Sequence, residues 1–182
     1  MIALKHWYNS TNIEFKKLSN IVHLRPFFNQ KHFQMGAVIY TLGRISSKGM
    51  LKRARGFYSS AEFLRLGKAG HLSVIQYLYC HSIELAFKVY LWEFGIKDEK
   101  KLKEFGHDLE QLYKYSKLEY SFPALNKRDF NLLNSVNIKY SNKYHEYFYT
   151  DFGKKVKTKD LSSLSSKILE IVSDSVSIKK SV

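Results

Sequence analysis

Between Leu72 and Phe94 the chain runs without a proline or a glycine. Val74, Ile75, Leu78, Ile83, Leu85, Ala86, Val89, Tyr90 and Trp92 recur through it at helical spacing and cover a broad face. Glu84 and Lys88 stand four residues apart, where a helix brings opposite charges together. Too few polar positions remain for a helix lying on a surface, so the segment reads as the central helix of a bundle, stopped by Gly95. Pro26 and Pro123 are the only prolines, which leaves long segments free to continue as helix. The fold class that follows is all-α.

Other segments fall into place around that helix. A preceding helix is expected from about Met50, with Lys52, Arg53 and Arg55 on its first turns. Cations at a helix N-terminus oppose the macrodipole, so either the helix starts later or these charges answer to a partner. Lys97 to Lys103 reads as a charged connector, followed by Asp108 ahead of the apolar pair Leu109 and Leu112. Pro123 breaks the chain before a segment faced by Phe130, Leu132, Leu133 and Val136. Tyr140, Tyr144, Tyr147, Phe148 and Tyr149 then cluster with His145. Gly153 to Lys159 is expected as a basic loop, and Leu161 to Val176 as a last helix with Leu164, Ile168, Leu169 and Val172 turned inward. The organisation is thus a basic extension over 1–50, a helical bundle over 51–176 and a frayed tail over 177–182. Within the extension, Gly36 to Gly43 suits a short strand or an equally short buried helix.

Composition bears on compartment and partner. The single cysteine, Cys80, excludes an intrachain disulfide and a thiolate metal site, which fits a reducing cytoplasm. Polar residues interrupt every apolar run near the start, so no export signal is read, and no membrane span is expected. The formal net charge is +14 and unevenly placed. Residues 1–60 hold ten Lys or Arg against one acid, residues 61–125 balance nine against nine, and residues 126–182 hold eleven against six. Basic flanks around a neutral core suit RNA or another polyanion; the competing reading is compositional bias without consequence.

Residues 80–112 carry a resemblance. A helix with a broad apolar face, a charged connection, and Gly106-His107-Asp108-Leu109 opening the next helix resemble the HEPN family of small all-α domains. Phe57-Tyr58-Ser59-Ser60-Ala61-Glu62-Phe63-Leu64 fits that family's first helix. The resemblance, over roughly 57–145, implies a HEPN-like up-and-down helical bundle with a basic N-terminal extension, and a homodimer paired through helices. It also implies an RNA-associated role in a bacterial defence or toxin–antitoxin-type system. Catalytic members of the family place an Arg, four to six residues and a His near the start of a late helix. Here that region offers Lys139, Lys143 and His145. Lysine lacks the planar fork that grips two phosphate oxygens, so these residues depart from the family's pattern. Arg65 and His71 match the spacing literally, but at the end of the first helix, and are read as coincidence. His107-Asp108 recurs in the family; a structural role is expected, Asp108 capping a helix and His107 meeting a neighbouring turn.

The residues expected to meet nucleic acid are Lys52, Arg53, Arg55, Lys143, Tyr144, Lys154, Lys155 and Lys157. In the last five, tyrosine and lysine interleave as bases and backbone would require, though tyrosines also fill bundle edges and dimer interfaces. No metal-ligand spacing and no cofactor motif is present, so neither is expected. Three functions follow in order: a non-catalytic RNA-binding or regulatory module, a metal-independent endoribonuclease with a degenerate motif, and a protein-interaction scaffold.

Overall fold

The computed structural model describes residues 46–147 and 156–180, which form an all-α up-and-down bundle with no strand among them. The expected Gly36–Gly43 element and most of the 1–50 extension lie outside the described residues.

Helix α1 spans Ser47–Leu66 and starts earlier than the charge pattern suggests. Ser46 is the reason: its side chain accepts from the Gly49 amide at 3.1 Å and satisfies one of the first-turn donors. Gly67 ends α1, and a tight turn with positive φ at Lys68 and Gly70 leads to α2, Leu72–Phe94. His71 caps α2 through its ring nitrogen. The two helices run antiparallel: Ser82 donates to the Ala54 carbonyl, and Phe57 packs edge-on against His81. Ala54, Ala61, Ser82 and Ser165 are fully buried, small residues that let helices approach closely.

After α2 the chain passes Gly95, where the Tyr120 ring occupies the space a Cβ would need. The connector then makes a short helix of its own, α3, Glu99–Glu104, capped by Asp98 and anchored by the buried Leu102. It is followed by α4, Leu109–Tyr120, and α5, Lys127–Ser141, capped by Asp108 and Asn126. Between them Phe122 and Leu125 are buried, and the Leu125 amide donates to the Tyr113 hydroxyl at 2.9 Å. A left-handed Lys143 turns the chain into α6, Tyr144–Tyr147.

The last helix, α7, spans Thr158–Lys180, so it takes in the end of the expected loop and most of the expected tail. Lys179 holds that end down: its ammonium bonds the Glu93 carbonyl and lies 4.8 Å from the Phe94 ring centroid. Leu161, Leu164, Ile168, Leu169 and Val172 all face the core.

Helix α2 is the axis of the bundle, packed against α1, α4, α5 and α7. Phe87 is fully buried against Tyr113 and Phe122, and such a side chain contributes about 1.5–3 kcal/mol on leaving water. Cys80 is equally buried; burial first, then the Glu84 carboxylate, pushes its thiol pKa up. No described helix is long and apolar enough to cross a membrane.

Candidate functional site

The opening of α1 presents Lys48, Lys52, Arg53 and Arg55, all exposed, with no acid in the first turn. Only Arg55 finds a side-chain partner among the described residues, the neutral Ser173 hydroxyl at 2.9 Å. Several cations elsewhere are matched by acids. Arg128 binds Asp160 at 2.9 Å, Lys167 binds Asp129 at 2.7 Å and Lys103 binds Glu99 at 2.6 Å. The only acid on α1 is Glu62, and it is already engaged by Arg65 at 2.6 Å, Tyr79 and Ser162. Burial alone would raise the Glu62 pKa, but hydrogen bonds from Arg65, Ser162 and Tyr79 outweigh it and bring it down to about 2. Burial, aided by that carboxylate, pushes Tyr79 up to about 12.

One turn further along the α1–α2 hairpin lies a polar cluster only part of which the sequence pattern marks. Glu84 is 3% exposed and accepts from Lys88 at 2.6 Å, Tyr140 at 2.6 Å and His107 at 2.9 Å. Lys88 also donates to the Gly106 carbonyl at 2.9 Å. His81 Nδ1 lies 2.9 Å from the Tyr140 oxygen and 3.6 Å from Glu84 Oε2. Burial would raise the Glu84 pKa; hydrogen bonding from His81, the Lys88 charge and the Tyr140 hydroxyl overturn that and hold the carboxyl ionised, well below its usual range. Tyr140 is correspondingly pushed far up, by burial first and then by Glu84.

An ionised Glu84 fixes the protons around it. Tyr140 has one hydrogen and gives it to Glu84, so its oxygen accepts from His81 Nδ1–H. His107 likewise donates through Nδ1–H to a carboxylate that only accepts. Both imidazoles therefore commit Nδ1 to the interior. Their Nε2 atoms, on the far side of each ring, turn away from the buried oxygen. The side chains are 20% and 34% exposed respectively.

The remaining residues expected from sequence disperse. Asp108 caps α4, accepting from the Gln111 amide at 3.0 Å and from Asn137 at 3.0 Å. Lys139 is half-buried on the last turn of α5, Lys143 is exposed in the left-handed turn, Tyr144 is exposed and His145 is half-buried in α6. Tyr140 is 2% exposed, so this tyrosine of the expected aromatic cluster belongs to the core. Lys157 is exposed on the approach to α7, whereas Lys154 and Lys155 lie outside the described residues. Arg65 is locked to Glu62 and Tyr79 while His71 caps α2, so each of that pair has a local role.

A shallow recess of about 480 Å³ follows α4 and is edged by Asp108, Glu110 and Glu119, a lining unsuited to a polyanion. No group of His, Cys, Asp and Glu among the described residues is placed to hold a metal ion. No protein-family model matches the chain, and no curated protein or solved structure does either. The described residues define a helical bundle whose first described helix opens with cations and whose buried Glu84 holds His107 directly and His81 through Tyr140.

Proposed function

We propose that this protein is a HEPN-like RNA-binding module that engages the phosphate backbone through the opening of α1. The observation that carries this reading is that Lys48, Lys52, Arg53 and Arg55 are all exposed on the opening turns of α1 and none has an acidic partner among the described residues. Lys48, in the first turn, opposes the macrodipole; Lys52, Arg53 and Arg55 follow on the next two turns as a run of like charge with no acid to offset it. Such an arrangement costs stability in the free protein and is relieved when phosphates neutralise it. The homodimer implied by the HEPN resemblance belongs to the same proposal, and sedimentation of the full chain tests it.

The test is retention of end-labelled single-stranded RNA in chelator, read on native and denaturing gels across a salt series. A shift of intact RNA that weakens steeply with salt, and that Lys52→Gln/Arg53→Gln/Arg55→Gln weakens at every salt concentration, supports the module. RNA that fails to shift at low salt, or shifts equally with the triple variant, removes it. Cleaved RNA in the parent chain and intact RNA with His145→Ala would replace it by an endoribonuclease.

A further inference from the structure

We infer that the apex of the α1–α2 hairpin is a docking surface for an anionic lipid bilayer. Large apolar side chains stand in solvent there: Phe63 is 77% exposed, Leu66 67%, Val74 45% and Leu72 37%. Phe63 and Leu66 share one face of the last turn of α1, and Leu72 and Val74 lie in the first turn of α2. Between the two helices every residue from Gly67 to His71 is exposed. The core stops just behind them, at the buried Ala61 and Ile75.

Charge decides what covers this apex. From Phe63 to Ile83 the chain has no acid, and Lys68 stands exposed in the turn itself. Helix α7 begins at the same end of the bundle, since the Ser162 hydroxyl donates to Glu62 and the Gln76 amide to the Val156 carbonyl at 2.9 Å. Its approach and first turn bring Lys157 and Lys159, both exposed and without an acidic partner among the described residues. The described acids at this end are already engaged, Glu62 by Arg65, Tyr79 and Ser162, and Asp160 by Arg128.

An apolar apex flanked by unanswered lysines suits the headgroup–acyl boundary of a bilayer, where the cations meet anionic headgroups. Two other occupants fit worse. A second copy would set these lysines against their own equivalents with no free acid between them. Unpaired bases stack on aromatic faces, and Leu66, Leu72 and Val74 have none. The contact is peripheral, because no described helix is long and apolar enough to cross a membrane. It is also separate from the RNA reading, which uses the opening of α1 rather than its last turn.

The test is flotation of the full chain with vesicles of phosphatidylcholine alone, or with about a third phosphatidylserine. The expected result is flotation with the anionic vesicles only. Phe63→Ser/Leu66→Ser should weaken it about tenfold, and Lys68→Gln/Lys159→Gln about fivefold for each lysine. Both apolar side chains stand in solvent, so their variant should keep the parent's urea midpoint. A second readout is Leu66→Cys carrying a polarity-sensitive fluorophore, whose emission should move to the blue on anionic vesicles. Ser59→Cys, exposed two turns earlier, should not respond; the buried Cys80 leaves the label to the introduced thiol. No flotation with anionic vesicles, equal flotation with neutral ones, or an unshifted label at position 66 overturns the inference. Flotation that Phe63→Ser/Leu66→Ser leaves unchanged does the same, and loss of single-stranded RNA in that variant would then give the apex to unpaired bases. None of these results bears on the α1 reading, which stands or falls with Lys52→Gln/Arg53→Gln/Arg55→Gln on RNA.

Discussion

Lys52 on α1 and Lys88 on α2 stand on the two arms of one helical hairpin and meet opposite circumstances. Lys88 reaches a buried carboxylate and a backbone carbonyl, with every charge around it answered. Lys52 stands in solvent on the second turn of a helix, with no acid answering it among the described residues. The difference separates charge that holds the fold from charge available to something outside it. Charge totals cannot make that distinction, because both residues count equally toward +14.

The largest expected effect breaks the interior half of the comparison. Lys88→Met removes the cation from a buried pair and should cost about 3 kcal/mol in urea unfolding, because Glu84 stays desolvated with one partner fewer. Lys52→Met should leave the urea midpoint unchanged within about 0.5 kcal/mol, since the side chain is exposed and unpaired among the described residues. Equal losses in the two variants would erase the distinction.

Next comes the outward half. Against single-stranded RNA, each phosphate left without its cation should lower the slope of log affinity on log salt by about 0.7, so the α1 triple variant should lower it by about 2. An unchanged slope with reduced affinity would mean that the arginines read something other than backbone charge.

A smaller effect appears in acid. Glu62 has a folded pKa of about 2 against an ordinary 4.5, so its ionised form stabilises the fold above 4.5. That contribution drains as pH falls through about 2. Glu62→Gln should therefore flatten the stability–pH curve in that window while leaving the slope due to Glu84, whose pKa is depressed in the same direction. The smallest change concerns the α5–α6 turn. Lys143 has a φ of 57°, and Lys143→Gly should gain under about 1 kcal/mol by removing left-handed strain, less what glycine loses in chain entropy. Thermal unfolding reads it; a net destabilisation would show that the lysine side chain contributes more than its backbone costs.

Much of the bundle was legible in the sequence because its signals are local. The bounds of α2 follow from apolar spacing and from Gly95, and the inward face of α7 from period alone. The start of α1 was not legible from the charges, because the Ser46 cap sets it three residues before Met50 and leaves Lys52, Arg53 and Arg55 beyond the first turn. Helix α3 was missed because Leu102 is one apolar residue in a charged run, and its burial depends on distant neighbours. The tail reads as free in sequence because only the fold brings Lys179 to the end of α2. Of the Glu84 cluster only the Glu84–Lys88 pair was legible, from its spacing of four; nothing in the sequence pointed to His81 or to the burial of the carboxylate. Closure of the cluster by His107 and Tyr140 joins residues 23 and 56 positions away, which no local pattern encodes.

The sealed thiol of Cys80 gives the molecule its own clock. Its sulfur is shielded on the central helix and its pKa is raised, so alkylating reagents reach it only when α2 separates from its neighbours. As the chain's single cysteine, it makes the rate of modification under native conditions a direct count of how often the bundle opens.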